Sequence, residues 1–406
     1  MAERAREPQG PREAAAAVAQ RLASADFSAY FAGGCVRDEL MGHLPADYDV
    51  ATNATPDEIR AVFPGARGVG EHFGVMLVRQ GGRTIEVATF RGEGAYADGR
   101  RPGHVMFSDE RTDALRRDFT INGLFMKPTT GEVIDHVGGR ADLASRTLRA
   151  IGDADARLEE DRLRLLRAVR FAARFGFEME PATREAVRRH APELRGVSRE
   201  RVGHEVRRML AHPSRAVAIA LIETLGLAPA TLLEEGACEI ARVRSLPGDA
   251  SVHAALAAWM LDRASSLRWP ERLARWTGAL ILSNAEVDAV AAALRARDAL
   301  HERWEGLGVA GRKRLAAGPG FVDALALLEA EGDARARTIR AAVADLARTG
   351  LAPTPLLDGH ALQGLGMKPG PDFRRILDAV YDAQLEGRVG DQQEALRLAL
   401  QVASGA

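Results

Sequence analysis

Two aspartates two positions apart, Asp47 and Asp49, have the type and spacing of a metal-binding pair. If residues 47–51 form a strand, both side chains project from one face, with Cα atoms roughly 6.5 Å apart. Such a pair can hold two divalent ions about 3.5–4 Å apart. Carboxylate oxygens suit Mg²⁺, or Mn²⁺, rather than zinc. The same spacing is also typical of a solvated strand end.

A glycine pair upstream of the aspartates is typical of a phosphate-binding turn. Alternating apolar residues lead into Gly33 and Gly34, and an amphipathic segment follows at 35–41, so the pattern predicts a strand, a turn and a short helix. Glycines let the backbone approach a phosphate, and a helix start offers unpaired N–H groups to an anion. Arg37 can add a charged fork for the same phosphates. Together these features predict a phosphate cradle facing a metal pair.

The sequence GGCVRD at 33–38 followed by DYDVAT at 47–52 resembles the nucleotidyltransferase superfamily. Within it, the stretch is similar to the class II tRNA nucleotidyltransferases, or CCA-adding enzymes, and to the bacterial poly(A) polymerases. The resemblance implies that Asp47 and Asp49 hold the catalytic metals and that the glycine turn binds the triphosphate. The expected fold is α+β, with an N-terminal nucleotidyltransferase-type mixed sheet and flanking helices, followed by an all-helical neck, body and tail.

A third carboxylate is predicted on a neighbouring strand. The pattern at 74–90 indicates a β-hairpin whose second strand carries Glu86 on the face opposite Ile85 and Val87. If this strand lies beside the aspartates, Glu86 can orient a metal or accept the proton of a primer hydroxyl. The family resemblance places an acidic residue in the corresponding strand. The alternative is a solvated surface carboxylate.

Residues 91–107 are glycine-rich and polar, which indicates either a surface loop or a mobile lid beside the site. The stretch resembles the flexible loop of CCA-adding enzymes, which in that family helps switch specificity from CTP to ATP. Enzymes of the family that add only CC lack this loop. Its presence argues against an enzyme of that kind.

The block RRDFTING at 116–123 resembles the family's RRDFTINA, with Gly123 in place of the usual alanine. Arg117 can pair with a phosphate while Asp118 accepts a hydrogen bond from a ribose hydroxyl, and Asn122 can brace both. The alternative is a helix laced by its own Arg–Asp pairs.

A helix is predicted over residues 158–177, and four charged residues recur along it every three positions, so that each neighbours the next. These are Asp161, Arg164, Arg167 and Arg170. An Asp–Arg pair presents acceptors beside donors, as does a nucleobase edge. The sequence EDRLR at 160–164 resembles the family's EDxxR motif. This implies that Asp161 and Arg164 read cytosine and adenine, with Arg167 and Arg170 near the base or phosphates. The alternative is an ordinary exposed helix.

Long periodic helices replace strands after residue 150, which predicts a domain boundary there. The expected segments are a catalytic head domain at 1–150, a helical nucleotide-recognition neck at 151–212, a helical body at 213–350 and a helical RNA-binding tail at 351–406. The sequence DHVGGRADL at 135–143 matches the family's D-x-x-x-G-x-x-D-L connector, and ERVGHE at 200–205 resembles its ERxxxE segment, expected to support the nucleotide helix.

The tail contains a helix, a basic Gly-Pro turn and a second helix, which resembles the C-terminal element of many bacterial CCA-adding enzymes. A turn exposing Lys368 can grip an RNA phosphate. The alternative is a purely structural helical hairpin.

Composition limits the class of protein. The net charge of −1 argues against indiscriminate coating of nucleic acid, so any RNA contact must come from local clusters. Cys35 and Cys238 are too few for a disulfide framework or a zinc cluster, which fits a reducing cytoplasm. With no run of 18 apolar residues, we expect no membrane span.

The expected activity is template-independent addition of C, C and A to tRNA 3′ ends from CTP and ATP, with release of pyrophosphate. The expected partners are tRNA and the two nucleotides, without a membrane or an obligate protein partner. A bacterial poly(A) polymerase or an A-adding enzyme is the first alternative, because the catalytic motifs are shared. An inactive RNA-binding relative is the second, and it would require a lost carboxylate.

Overall fold

The computed structural model of the protein describes residues 10–69, 74–92, 106–264, 267–365, 367 and 370–404. Two compact units make up the chain. The first comprises Met1–Glu205 and Leu221–Thr231, and the second comprises Val206–Ala220 and Leu232–Ala406. The predicted boundary at residue 150 lies inside the first unit, and the division into head, neck, body and tail remains a prediction.

A mixed β-sheet is the framework of the first unit. The strands are β1 Ala29–Ala32, β2 Val50–Thr52, β3 Arg67–Gly68, β4 Val75–Gln80, β5 Arg83–Thr89, β6 Arg91–Gly92, β7 Met106–Phe107, β8 Leu124–Met126, β9 Val133–Asp135, β10 Thr147–Leu148 and β11 Glu178–Met179. The seven-stranded sheet has the order β3-β4-β5-β2-β1-β8-β9. Strands β2 and β5 are parallel, and the other neighbours are antiparallel. The pairs β6–β7 and β10–β11 stand apart from it.

Helices flank the sheet and continue beyond it. In chain order they are α1 Pro11–Ala23, α2 Gly34–Leu40, α3 Pro56–Val62, α4 Glu110–Leu115, α5 Gly139–Ala144, α6 Ala154–Glu160, α7 Arg164–Phe175, α8 Pro181–His190, α9 Arg199–Leu210, α10 Arg215–Thr224 and α11 Ala228–Leu232. Helix α3 begins where its capping residues predict. The Thr55 hydroxyl accepts from the Glu58 N–H, the Glu58 carboxylate accepts from the Thr55 N–H at 2.7 Å, and Pro56 occupies the first turn.

The alternation of side chains along the strands builds two cores on the two faces of the sheet. Helices α1 and α3 cover one face, where the buried cluster includes Phe31, Val50, Met76 and Val87. Helix α4 covers the other face, where Ala114 packs with Ala51 and Phe125. Because successive side chains alternate, Asp49 lies on the α4 side with Ala51.

The helix predicted over residues 158–177 is divided in two, so that prediction is wrong. Helix α6 ends at Glu160, the backbone of Asp161 is extended (φ −146°, ψ 101°), and α7 begins at Arg164. The Asp161 carboxylate accepts from the Leu163 N–H at 3.1 Å. Such a local side-chain bond competes with helical hydrogen bonding. Helix α7 ends at Gly176, whose left-handed conformation favours glycine.

The second unit is largely helical, and its helices pack around small apolar clusters. They are α12 Ala241–Ser245, α13 Val252–Asp262, α14 Trp269–Leu280, α15 Asn284–Glu302, α16 Val309–Ala317, α17 Phe321–Ala330, α18 Arg335–Ala347, α19 Gly359–Gly364, α20 Pro371–Leu385 and α21 Gln392–Ser404, with one strand pair, β12 Ala237–Cys238 and β13 Arg263–Ala264. One cluster contains Trp304 and Phe321, and another contains Leu362 and Ile376. None of the helices in the described part of the chain has the length and hydropathy of a membrane span. The predicted α+β class is confirmed.

Candidate active site

The predicted glycine turn lies between β1 and α2. Gly33 has φ +69° and ψ −118°, a conformation that glycine adopts without strain. A Cβ added at Gly33 would also lie 2.8 Å from Nη1 of Arg117, whereas one added at Gly34 would make only ordinary contacts. The Gly33 N–H donates to the Leu124 carbonyl at 3.0 Å and fixes the turn to β8. The strand, turn and short helix are therefore arranged as predicted, and the requirement for glycine is strongest at Gly33.

The two aspartates lie directly before β2 rather than inside it. The Ala32 N–H nevertheless donates to the Asp49 carbonyl at 3.1 Å, so the extended pairing with β1 reaches this residue. Tyr48 is buried, and its ring contacts Phe31 edge-on with 4.9 Å between centroids. Asp47 and Asp49 are both exposed. The two carboxylates therefore share one side of the chain.

Glu86 occupies the strand that neighbours the aspartates. Strand β5 pairs with β2 in parallel, with Val87 opposite Val50. Asp49 and Glu86 each precede these partners by one residue, so they are adjacent in register and face the other way. Ile85 and Val87 are buried while Glu86 is exposed. The predicted position of Glu86 is confirmed, and its chemical role stays a prediction.

Asp47, Asp49 and Glu86 form an acidic face, whose carboxylates repel one another. Loss of hydration, and then the charges of Glu86 and Asp47, raise the pKa of Asp49 to about 6, while Arg117 opposes them. Asp49 is an exposed residue, but its carboxylate still loses part of its hydration. This loss and the neighbouring negative charges both raise the pKa of Asp49.

A divalent cation between these carboxylates would relieve that repulsion. Mg²⁺ is commonly held by one or two carboxylates together with substrate phosphates. Across the residues that the structure describes, no group of three or more His, Cys, Asp or Glu side chains forms a metal site by itself. The carboxylates of the acidic face are hard oxygen donors, so they fit an ion such as Mg²⁺ that also takes ligands from bound phosphates.

Arg117 lies beside the glycine turn, and its predicted contact with a phosphate stays a prediction. Its Nη1 donates to the Asn122 carbonyl at 3.1 Å, and its guanidinium stands 5.0 Å from the ring centroid of Phe125. Nε and Nη2 both donate to the Asp113 carboxylate, at 3.1 and 2.9 Å. The Arg–Asp lacing left open by the sequence is thus present, and it uses Asp113. The signal for Asp113 is an acidic residue three and four positions before two arginines.

Arg37 is buried beside the glycine turn, with its Nη2 3.6 Å from where a Cβ at Gly34 would lie, and its phosphate contact stays a prediction. It is 5% exposed, and its Nε and Nη1 donate to Asp38 and to the Asn122 side chain at 2.8 and 2.5 Å. The guanidinium also stands 4.5 Å from the ring centroid of Phe175. Burial lowers the pKa of Arg37, and Asp38 opposes this shift. A buried guanidinium must be hydrogen-bonded within the protein, and here the bond to Asn122 ties α2 to the segment that follows α4.

Asp118 is also buried, and its oxygens are already bonded. Oδ2 accepts from Arg167 Nε at 2.7 Å, and Oδ1 accepts from the Phe119 N–H and the Asn122 side chain at 2.8 and 3.0 Å. Burial opposes ionisation, but the charge of Arg167 and these hydrogen bonds outweigh it, so the pKa of Asp118 lies below its ordinary value. Two predicted nucleotide-binding residues, Asp118 and Arg167, thus bind each other, and their contacts with a nucleotide stay predictions.

Asp161 and Arg164 bind different partners rather than each other, and their role in reading the base stays a prediction. Asp161 accepts from Arg201 of α9 at 2.7 Å. Arg164 donates to Glu160 of α6 at 2.6 Å. The cause is the extended backbone at Asp161, which turns its side chain off the helical stripe. The two residues stand at either side of the helix break.

Arg170 binds Glu205, a residue of α9 in the first unit. The Nε–Oε2 distance is 2.6 Å, and both residues are buried, at 7% and 3% exposure. The guanidinium also stands 4.2 Å from the ring centroid of Phe171. The bond to Glu205 ties α7 to α9, and the nucleotide contact predicted for Arg170 stays a prediction.

The D-x-x-x-G-x-x-D connector has a local structural explanation. Asp135 accepts from the N–H groups of Gly139 and Arg140 at 3.0 and 2.9 Å, which caps α5. A Cβ at Gly139 would lie 2.2 Å from the Thr120 carbonyl oxygen, so only glycine fits. Asp142 accepts from the Thr120 hydroxyl at 2.7 Å. The motif thus fastens α5 to the segment that carries Asp118.

Two predicted features lie outside the described residues. These are Lys368, the predicted RNA contact, and positions 93–105 of the predicted flexible loop. Helices α19 and α20 lie on either side of the predicted tail turn. The contacts of Lys368 and of the loop remain predictions.

Two family models match the chain. One is described as "Poly A polymerase head domain" and matches residues 29–149. The other is described as "Probable RNA and SrmB- binding site of polymerase A" and matches residues 176–235.

Individual relatives match over different lengths. A CCA-adding enzyme of Geobacillus thermodenitrificans is 39% identical over 266 residues, which is 65% of this chain and 61% of that protein. A CCA-adding enzyme of Geobacillus kaustophilus is 32% identical over 411 residues, covering 95% of this chain and 96% of the relative. The crystal structure of the Bacillus stearothermophilus CCA-adding enzyme in complex with CTP is 27% identical, with a TM-score of 0.79 and 98% of each chain covered. The chain therefore belongs to the family of CCA-adding enzymes.

Proposed function

We propose that the protein adds C, C and A to the 3′ ends of tRNA from CTP and ATP, without a nucleic-acid template and with release of pyrophosphate. The observation that carries this proposal is the acidic face beside the Gly33 turn, in a chain that aligns with a CCA-adding enzyme over 95% of its length. A similar structure, of the Bacillus stearothermophilus enzyme, contains CTP. Because tRNA and these nucleotides are cytoplasmic molecules, we also propose that the protein acts in the cytoplasm.

The proposed cofactor is Mg²⁺, with Mn²⁺ as an alternative. Asp47 and Asp49 would hold it, because their exposed carboxylates are hard oxygen donors. When bound, the metal would neutralise phosphate charge and favour ionisation of the attacking hydroxyl. Lost hydration, and then the charges of Glu86 and Asp47, raise the pKa of Asp49, and a bound cation would offset both by favouring the ionised carboxylate.

The protein's own residues position the reactants. The Gly33 turn offers backbone N–H groups to the triphosphate, and Arg117 places a fixed positive charge beside that turn. Glu86 orients the metal or accepts the proton of the RNA 3′-hydroxyl. The hydroxyl oxygen bonds to the α-phosphorus, and the bond from this phosphorus to pyrophosphate breaks.

Base selection is assigned to the start of α7. Asp161 and Arg164 are both partly exposed, and they stand where the chain leaves α6, so their remaining donors and acceptors are available to a nucleobase. Arg167 and Arg170 hold α7 in place through Asp118 and through Glu205. Lys368 remains the proposed contact to RNA.

A poly(A) polymerase is the second candidate function. It is favoured by the family model that matches residues 29–149, which is described as a poly(A) polymerase head domain. Both activities use the same transfer chemistry, so the acidic face does not distinguish them. The length and composition of the product do.

The test is extension of two tRNA transcripts, one that ends at the discriminator base and one that ends in CC, with labelled CTP and ATP supplied separately and together. On the first transcript, we expect two added residues with CTP alone, three with both nucleotides and none with ATP alone. A long ladder with ATP alone would indicate a poly(A) polymerase. Extension confined to transcripts that already end in CC would indicate an A-adding enzyme, and no product on any transcript would indicate an inactive relative. A transcript that already ends in CCA is the control, and it should not be extended.

A further inference from the structure

Asp113 is the centre of a buried cluster on the α4 side of the sheet, the side on which Asp49 lies. It is 2% exposed. Oδ1 accepts from Arg116 Nε at 2.8 Å and from the Arg91 N–H at 3.2 Å, and Oδ2 accepts from Arg117. Arg116 Nε also donates to the Arg91 carbonyl at 3.1 Å. Asp113 is therefore fixed from several directions, and it fixes two arginines in turn.

Asp113 is the one carboxylate bonded to Arg116 and Arg117, and the Arg91 guanidinium lies close to all three, so positive charge remains beside the acidic face. A Cβ added at Gly33 would lie 2.8 Å from Arg117 Nη1. The N–H of the preceding residue, Ala32, donates a hydrogen bond to the Asp49 carbonyl at 3.1 Å. An arginine released from Asp113 would thus have Asp49 as an alternative anion nearby.

We propose that Asp113 is a positioning residue that holds Arg117 at the glycine turn and away from Asp47 and Asp49, which keeps these two carboxylates available to a divalent cation. The inference rests on the metal role given to them in the proposed function. A guanidinium binds both oxygens of a carboxylate, so an arginine paired with Asp49 would compete with the cation for the same atoms.

The direct test measures Mn²⁺ binding to the full-length protein without nucleotide or tRNA, by the loss of the free-ion electron paramagnetic resonance signal. Asp113→Asn removes the charge that holds Arg117 and preserves the shape of the side chain. We expect Mn²⁺ affinity to fall on the order of tenfold, because the released guanidinium of Arg117 then repels the metal and pairs with the carboxylates that would bind it. Equal affinity of the wild-type protein and the variant would overturn the inference.

A double-substitution cycle with Arg117→Met identifies the cause. If Asp113 acts by holding Arg117, adding Asp113→Asn in the Arg117→Met background should change Mn²⁺ affinity less than about twofold. A loss as large as in the wild-type background would show that Asp113 acts without Arg117, and would overturn the inference.

Arg117→Lys is an independent variant for the case in which Asp113→Asn does not fold. Lysine keeps the charge but loses the two-donor contact with Asp113, and the Arg117 side chain is 21% exposed, so the fold should tolerate the change. We expect weaker Mn²⁺ binding than in wild type for Arg117→Lys, and equal or tighter binding for Arg117→Met. Wild-type affinity in Arg117→Lys would overturn the inference.

Asp142→Asn is the matched control for general destabilisation. Asp142 is buried, at 7% exposure, and pairs with Arg149 and the Thr120 hydroxyl. We expect a lower melting temperature and unchanged Mn²⁺ affinity, and a tenfold loss here would overturn the inference. The titration contains no substrate, so its outcome is separate from the extension assay. A wild-type protein that adds no nucleotide would reject the proposed function, whereas equal Mn²⁺ affinity with and without Asp113→Asn would reject only this inference.

Discussion

Two charged regions of the first unit differ in how their charges are compensated. On the acidic face, Asp47, Asp49 and Glu86 bring like charges together at the surface, and the pKa of Asp49 rises to about 6. Around α7, charges of opposite sign are paired inside the protein, as in Asp118 with Arg167 and Arg170 with Glu205. The first arrangement is unfavourable until a cation arrives, and the second is complete within the protein.

The difference separates residues that can bind a ligand from residues that hold the fold. A buried ion pair loses much of its Coulombic gain to desolvation, and removing one partner leaves a costly buried charge. A cluster of surface charges that repel one another lowers the stability of the free protein, and binding of an ion of opposite charge restores that stability. Substitutions on the acidic face should therefore lower activity with little loss of stability, whereas substitutions in the ion pairs around α7 should mainly lower stability.

The largest expected effect is on activity, from Asp47→Ala on the acidic face. Loss of this carboxylate should lower the single-turnover rate of CTP incorporation into tRNA on the order of a thousandfold or more, since a metal contributes several kcal/mol to transition-state stabilisation. Asp47 is exposed, so the melting temperature should change little.

Asp57→Ala is the control for Asp47→Ala. Asp57 is a surface carboxylate in the first turn of α3, 2.9 Å from Arg60. Its loss should change the rate less than about twofold, since an exposed ion pair contributes little. Near-normal incorporation by Asp47→Ala would contradict the metal assignment.

The second effect is on stability, from Arg170→Met on α7. Methionine approximates the volume of the arginine but leaves the Glu205 carboxylate buried without this charge, which should cost about 3–5 kcal/mol. Urea unfolding at pH 7.5 measures the loss. Arg174→Met is the control on the same helix, because Arg174 is exposed. An unchanged urea midpoint with a raised KM for both nucleotides would instead support the nucleotide contact predicted from sequence.

The third effect is on base selection, from Asp161→Ala. The Asp161–Arg201 pair is partly exposed, so the variant should lose less than about 1 kcal/mol of stability. If Asp161 reads the base, the ratio of CTP to ATP incorporation should shift several-fold in competition assays. Arg201→Met removes the same ion pair and should leave the ratio unchanged. Equal ratios in wild type and Asp161→Ala would argue against base reading by Asp161.

The sequence patterns predicted the acidic face because its geometry is local. Alternation along an extended chain places Asp47 and Asp49 together, and the hairpin pattern brings Glu86 to the next strand. The helix break at Asp161 also has a local cause, the hydrogen bond from the Leu163 N–H to the Asp161 carboxylate. The strong helical periodicity of residues 158–177 masks this signal, so the sequence pattern alone predicts a continuous helix.

Arg37 shows what the sequence could not give. Its bond to Asn122 joins residues 85 positions apart, and the pair Arg167–Asp118 spans 49 positions. A match to a motif gives the residue type at such a position but not whether the side chain is buried or exposed. Whether an arginine binds a phosphate or a buried carboxylate depends on which side chains the fold brings beside it, so these roles needed the structure.

The smallest expected effect tests the repulsion on the acidic face through the pH dependence of stability. In the folded protein without metal, the pKa of Asp49 rises from the ordinary 3.8 to about 6. Below the ordinary value the group is protonated in both folded and unfolded chains and contributes nothing, whereas above about pH 6 the folded state carries the full penalty of ionisation. Asp49→Asn should therefore stabilise the protein above pH 6 by less than about 1 kcal/mol, given the screening at an exposed site, and the gain should vanish as pH falls below 4.

Glu58→Gln should behave oppositely, because hydrogen bonds from Thr55 lower the pKa of Glu58. Its ionised form stabilises the fold at neutral pH, so the variant should be less stable there and match wild type in acid. Melting temperatures in a chelator across this pH range measure both, and a destabilising effect of Asp49→Asn at pH 7.5 would mean that the acidic face is not under repulsion.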